Sequence, residues 1–335
     1  MKGLMVTAAV LALATLGNGT ATGAESRPLL TFGLITDTHV CDKADQAEVI
    51  TVNATARYYT GGLAKIEAFA QAMSHAGAAF VAELGDFIDN PADPKLGREQ
   101  KKAAALGYAQ AAEAKLAGFA GARYHVFGNH DTDQLSKEDF VAQLGQGILG
   151  QGGAQAGGPF YYSWTVNGVH VIVLDASYKV DGNGYSGEPG TAGAGYTWDD
   201  SNVPAAELAW LEADLEANPQ PTIVLTHQLV SPLELVDPTF DPKHAIKQAP
   251  QLRALLEHSG HVLAVFSGHY HDGGFQRVNG INYVVLQANA AYGNDVAYHN
   301  QYALVEVEQR SERGYRVNVL GHGLQKSYIL SADVR

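Results

Sequence analysis

Short apolar runs of strand length alternate along this chain with longer segments whose hydrophobic residues recur at helical spacing. Residues 29–36, Leu-Leu-Thr-Phe-Gly-Leu-Ile-Thr, form a continuous run suited to a strand buried on both faces. From Gly61 to His75, the residues Leu63, Ile66, Phe69, Ala70 and Met73 fall along one side of a helix that Gly77 can end. Residues 78–84 predict a second buried strand, 95–119 an Ala-rich helix, 123–127 a third strand, and a further helix begins near Ser136. Such alternation predicts parallel βαβ units.

The pattern then changes. Runs at 159–166 and 169–174 meet at Asn167-Gly168, a strong two-residue hairpin signal, so the chain passes into antiparallel pairing. Residues 204–217 predict a helix with Pro204 in its first turn and Leu208, Leu211 and Leu215 on one side. A strand at 221–226, a helix at 251–258 and a strand at 261–267 follow. A second hairpin turns at Asn279-Gly280 between 275–278 and 281–287, and runs at 302–307 and 315–320 complete an antiparallel set. No internal repeat or linker divides the chain, which predicts one domain over 28–335 with a Gly-rich insertion near 177–204. That insertion carries Tyr178, Tyr185, Tyr196 and Trp198 and is too long for an ordinary connection. It is read either as a substrate cover whose aromatics stack on a base or sugar, or as a surface loop.

Composition narrows the classes. A hydrophobic content of 46% over 335 residues supports a substantial core. The formal charge of −13, from 35 acids against 22 bases, comes without a Lys/Arg cluster and excludes long nucleic acid as the partner. A polyanionic substrate would need local positive charge, which divalent metals supply. Lys2, the apolar run 4–16 and the small residues ending at Thr22-Gly23-Ala24 read as a signal peptide over 1–24. The expectation is export to a periplasmic or extracellular space without stable membrane insertion, since the run is too short to span a bilayer. Cys41 is the single cysteine, so an intramolecular disulfide is excluded. It is either a soft extra ligand near His39 or a small buried hydrophobe.

Polar clusters stand where the apolar runs stop: Asp37-Thr38-His39, Gly85-Asp86, Gly128-Asn129-His130-Asp131, Thr226-His227 and Gly268-His269-Tyr270-His271. Residues two apart on an extended segment point to one side, so Asp37 with His39, and His269 with His271, can each reach one ion. The Asn129 carbonyl can ligate a metal without adding charge, and His130 beside it can offer a proton to a phosphate oxygen. Asp89 either steadies its loop or caps a helix. Arg57-Tyr58-Tyr59 either lies near substrate or opens the next helix.

In order and residue type these clusters resemble the calcineurin-like metallophosphoesterases, over roughly residues 30–310. The resemblance implies an α/β fold, a four-layer α/β/β/α sandwich of two mixed sheets flanked by helices. It also implies two metal ions, one held by Asp37, His39, Asp86 and His271, the other by Asp86, Asn129, His227 and His269. Asp86 would bridge through its two oxygens. The donor set suits Mn or Fe, with Zn as a further choice, better than Ca or Mg. Catalysis would fall to a metal-bound hydroxide, with His130 as the catalytic proton donor. Asp131 would orient His130 or, more in keeping with its position, hold the loop. Arg57, Tyr58, Asn129 and His130 would contact substrate. Phe87-Ile88-Asp89 fill the position near Gly85-Asp86 where purple acid phosphatases would want a tyrosine, which disfavours that branch. Arg57-Tyr58-Tyr59 and the stretch 80–89 look more like manganese-dependent ADP-ribose/CDP-alcohol diphosphatases, although that group has Gln at the position of His39. The expected activity is hydrolysis of phosphodiester or diphosphate bonds in small nucleotide-linked or alcohol-linked substrates. A phosphomonoesterase or 5′-nucleotidase on the same site is the alternative. A binding protein that lost its chemistry is a third reading, which the full ligand set disfavours.

Overall fold

A computed structural model describes residues 27–47, 56–144, 155–156, 160–179, 198–233 and 236–335. The expected signal peptide and the centre of the expected insertion, 180–197, lie outside them. Among the described residues no helix is long and apolar enough to cross a membrane.

The first half builds β1 (Leu30–Ile35), α1 (Gly62–His75), β2 (Phe80–Glu83), α2 (Arg98–Leu116), β3 (Ala122–His125) and α3 (Lys137–Leu144). A second series follows: β4 (Gln155–Ala156), β5 (Tyr162–Val166), β6 (Val169–Val173), α4 (Ala205–Ala217), β7 (Thr222–Leu225), α5 (Ala249–Ser259) and β8 (Val262–Ser267). The chain ends in β9 (Gly274–Val278), β10 (Ile281–Val285), β11 (Tyr302–Gln309), β12 (Gly314–His322) and β13 (Tyr328–Asp333). Six strands form one sheet in the order β13-β12-β11-β1-β2-β3, and seven form the other in the order β4-β5-β6-β7-β8-β10-β9. Both are mixed: β1, β2 and β3 run parallel, as do β6, β7, β8 and β10, and the remaining pairs are antiparallel. Both Asn-Gly pairs turn as expected, with φ of 50° at Asn167 and at Asn279.

The sheets face each other across the main core. Val169, Val171, Val173, Ile223, Leu225 and Phe266 of the second sheet pack in one cluster with Phe32, Leu34, Phe80, Val305 and Val317 of the first. Ile172, Leu174, Val224 and Val265 alternate to the opposite face and meet Leu208, Leu211, Leu252 and Leu256 of α4 and α5. This period-2 division of continuous apolar strands gives helix, sheet, sheet and helix layers. Aromatic rings lock the interface: Tyr124 stacks on Trp164 at 3.7 Å, Phe80 meets Trp164 at 5.3 Å, and Phe32 meets Phe266 at 6.3 Å. Burying each such ring contributes about 1.5–3 kcal/mol.

Three sequence expectations need correction. Pro204 is the N-cap of α4 and not in its first turn. The helix expected at 251–258 starts earlier, at Ala249, with Pro250 near its N-terminus, where a missing N–H costs nothing. The edge strand β13 had no counterpart; Ile329, 77% exposed, breaks the apolar alternation that Leu330 and Ala332 maintain.

Candidate metal centre

Strands β1, β2 and β3 of one sheet and β7 and β8 of the other end at a common edge, where open α/β sheets place their sites. The five polar clusters follow those ends and meet there. Asp37 N donates to Gly85 O at 3.0 Å, His39 N to Asp86 O at 2.9 Å, and Gly268 N to His227 O at 3.0 Å, so the loops continue the strand ladders. Gly85 has φ +98°, and a Cβ there would lie 2.5 Å from His227 Nδ1. At Gly128 a Cβ would collide with the Asp86 amide. Both glycines let the Asp86 and Asn129 loops touch.

Two donor groups result. Asp37 Oδ1 lies 3.3 Å from His271 Nε2 and 3.8 Å from His39 Nε2, and these imidazole nitrogens are 3.4 Å apart. Asp86, His227 and His269 form the second group, with His227 Nε2 3.4 Å from Asp86 Oδ2. Asp86 Oδ2 also lies 3.8 Å from His39 Nε2 and therefore faces both groups. Asp86 Oδ1 instead accepts the His130 amide at 2.8 Å. Asp86 would be the residue shared between two ions, with its Oδ2 turned toward both donor groups. Asn129 is buried between Gly128 and His130, beside Asp86.

The donor atoms pass a physical test for metal. Asp37 Oδ1, Asn129 Oδ1, His227 Nε2 and His269 Nε2 are buried without a hydrogen-bond partner. Orphaned buried polar atoms cost about 1–3 kcal/mol each, and every one of these is a lone pair able to bind a cation. The opposite ends of the ligands are tied. Asp37 Oδ2 accepts from Thr36 Oγ1 at 2.7 Å and from His269 N at 3.1 Å, and His227 Nδ1 meets Leu84 O at 2.7 Å. That leaves His227 Nε2 as the free nitrogen. His39 Nδ1 is 3.2 Å from Asp89 Oδ2.

Electrostatics agree. Burial would raise the Asp86 carboxyl, but His227, His130 and His39 outweigh it and hold it well below the usual range. Asp37 is likewise lowered, chiefly by His271 and His227 against its burial. Burial and the Arg57 guanidinium bring His39 down to about 4. His269 is driven well below its ordinary value by burial and by His227 and His244. His227 moves the other way: burial would lower it, but Asp86 and Asp37 carry it up to about 10. The cluster therefore joins ionised carboxylates to imidazoles, a donor set that fits metal ions.

Strain concentrates on the same residues. Asp37, His39, Asp86 and His269 have φ of 53°, 48°, 55° and 66°. Among the described residues, the other left-handed non-glycine positions are the two hairpin asparagines and Tyr292, in the loop where Ala290 N donates to Asp37 O. Left-handed backbone costs about 1–2 kcal/mol per residue and persists only when its surroundings over-determine it.

His130 lies beside the first donor group, its ring 5.0 Å from that of His39. Its Nδ1 is 2.8 Å from Asp133 Oδ2 and 3.4 Å from Asp89 Oδ1, and its Nε2 is 3.5 Å from Arg57 Nη1. Burial would lower the imidazole, yet Asp89, Asp86 and Asp133 carry it up to about 9. Asp131 does not hold His130 and is not placed for catalysis. Its carboxylate accepts the amides of Gly128, Asp86, Phe87 and Ile88 at 2.8, 3.0, 2.9 and 3.2 Å, so it ties the loops together.

Arg57 reaches the site, its Nη1 3.2 Å from Asp89 Oδ2. Tyr58 is half-buried and its amide donates to Ala290 O, whereas the Tyr59 hydroxyl is the one that meets Arg57. Sequence reading missed Lys43, whose Nζ is 2.8 Å from Asp89 Oδ1, and Asp133. The clue to Asp133 was its i,i+3 spacing from His130. Asp89 is neither merely a loop brace nor a helix cap, since it gathers His39, His130, Lys43 and Arg57. Cys41 is half-buried, its thiol pushed up to about 11 by burial, and it joins none of the donor groups among the described residues.

The model of the calcineurin-like phosphoesterase family matches residues 30–273. This chain belongs to that family. Its members' name agrees with a metal-dependent phosphoric ester hydrolase built on two ions, and the clustered donors above fit that assignment. Among solved structures, the phosphoesterase chain resembles a dimetal phosphatase from Danio rerio, at 18% identity and a TM-score of 0.70, over 91% of this chain and 100% of that one. It also resembles the TT1561 protein of Thermus thermophilus, at 14% identity and a TM-score of 0.51, over 83% and 94% of the two chains. A purple acid phosphatase from yellow lupin aligns at 14% identity and a TM-score of 0.50, over 91% of this chain and 53% of that one. At these identities the likeness establishes the fold. No curated protein matches the sequence.

Proposed function

We propose that this phosphoesterase hydrolyses phosphodiester or diphosphate bonds in small nucleotide-linked or alcohol-linked substrates, in an exported compartment, with Mn, Fe or Zn. The observation that supports it is the pair of cations, Lys43 and Arg57, clipped to Asp89 beside His130. Next to the metal centre they offer a place for a phosphate or ester oxygen beyond the scissile group.

Asp37, His39, Asp86 and His271 would hold one ion, and Asp86, Asn129, His227 and His269 the other. When bound, the ions lower the pKa of coordinated water and neutralise the phosphoryl oxygens. The protein's own part is positional. Asp133 and Asp89 hold the Nδ1 side of His130, leaving Nε2 to carry a proton toward the leaving oxygen. Against its burial, Asp89, Asp86 and Asp133 raise His130 above its ordinary value, which suits it to that donation. Arg57, beside Nε2, can fix the oxygen that receives the proton.

The test is hydrolysis of bis-p-nitrophenyl phosphate against p-nitrophenyl phosphate by the mature chain loaded with Mn. The diester is expected to be the better substrate. Turnover of the monoester alone would replace this reading with a phosphomonoesterase.

A further inference from the structure

The two flanks of the metal centre differ. On the His39 side lie the charged groups His130, Arg57 and Lys43. On the His269 side lies an aromatic wall that the proposed chemistry leaves unused. The His244 ring is 5.1 Å from that of His269, and Trp198 packs on His244 at 4.9 Å, so a single imidazole separates the Trp198 ring from a proposed ligand. Behind them Phe240 and Tyr270 back the His244 ring at 5.9 and 5.4 Å.

Packing accounts for the rear of this wall but not its front. Phe240 and Tyr270 belong to a small core with Leu229, Leu233 and Val285, and the Tyr270 hydroxyl is pinned to Asp237 Oδ2 at 3.0 Å. His244 is fixed as well, its Nδ1 2.9 Å from Asp241 O. Trp198 differs: it keeps 38% of its surface exposed, whereas Trp164 is 3% exposed in the main core. A tryptophan whose task was burial would hide more of its large apolar surface. Lys243 Nζ lies over the Trp198 ring, 5.9 Å from its centre, and adds a mobile donor beside it.

We propose that Trp198, supported by His244 beside His269, is a stacking shelf for a nucleobase carried by the substrate one sugar away from the scissile phosphate. The shelf rests on the phosphodiester reading and specifies its substrate class. Stacking suits this position because every base offers a π-face, and removing such a ring by alanine substitution typically costs about 1–3 kcal/mol per base, or roughly five- to hundredfold in affinity.

The test compares thymidine 5′-p-nitrophenyl phosphate with methyl p-nitrophenyl phosphate, which share a leaving group, in wild type, Trp198→Ala and Trp198→Phe. In wild type the nucleoside ester should have the lower KM. Trp198→Ala should raise that KM at least fivefold and leave both constants for the methyl ester unchanged, and Trp198→Phe should recover most of the loss. Equal KM values for the two esters in wild type would overturn the shelf, as would an alanine variant that slows both alike. If neither ester is turned over, the diester reading fails, and the shelf is judged by binding to the metal-loaded chain. Thymidine 5′-monophosphate should then quench tryptophan emission in wild type and not in Trp198→Ala; equal quenching by ribose 5-phosphate would refute it.

Discussion

Asp131 shows how a residue beside the proposed proton donor His130 can support the site without touching that histidine. One carboxylate accepts amides from both the Gly128 and the Asp86–Ile88 segments. Burial, with Glu83 and Asp86 nearby, pushes the Asp131 carboxyl well above its ordinary value, so each of these bonds is counted at about 0.5–1.5 kcal/mol. Asp131→Asn keeps the size but turns an NH2 group toward amide donors. We expect it to lower unfolding stability by about 3 kcal/mol in urea titration and to weaken metal retention. An unchanged midpoint would mean that the loops are held by other contacts. The proposed ligands were legible in the sequence because each follows an apolar run by one to four positions. Asp133 and Lys43 were less so, since their roles appear only when the loop after β3 and the one after β1 are brought together around Asp89 and His130.

At the level of elements, buried ion pairs tie strands to helices in ways that hydrophobic periodicity does not encode. Glu83 of β2 and His125 of β3 are register partners, and His125 Nε2 also reaches Glu113 of α2 at 3.1 Å. Burial would lower His125, but Glu113 and Glu83 outweigh it and carry it up to about 9, from 6.5 in the unfolded chain. Because the folded value is the higher one, its stabilising contribution is complete below pH 6.5 and lost as pH rises through 9. The stability gap between wild type and His125→Gln should therefore shrink between about pH 6 and pH 10, by on the order of 3 kcal/mol. A gap independent of pH in denaturant titrations would show that His125 is neutral in the fold. The buried Lys65 of α1 was equally hidden, since its Nζ serves one distant carbonyl, Asn289 O, at 2.7 Å. Strand positions were far more legible: long apolar runs and Asn-Gly turns are local signals, whereas β13 depends on pairing with β12.

Across the whole molecule, the proposed ligands divide between the sheets. Asp37, His39, Asp86 and Asn129 follow strands of the first, and His227, His269 and His271 follow strands of the second. Each expected ion would take donors from both. Bound metal should therefore stabilise the fold as a ligand does, by about 4 kcal/mol at a thousandfold excess over Kd. Chelation should lower the thermal midpoint by roughly 5–10 °C, and added Mn should restore it. A midpoint insensitive to chelator would mean that the donors do not share ions across the interface.

The two sheets are held along their faces by interlocked rings and at one margin by the donor loops, much as a book is held by its spine and a clasp. Opening the clasp would leave the spine intact. Ion loss should then loosen hydrogen-exchange protection at the loops around Asp37, Asp86 and His269, while the strand centres around Phe80 and Phe266 stay closed.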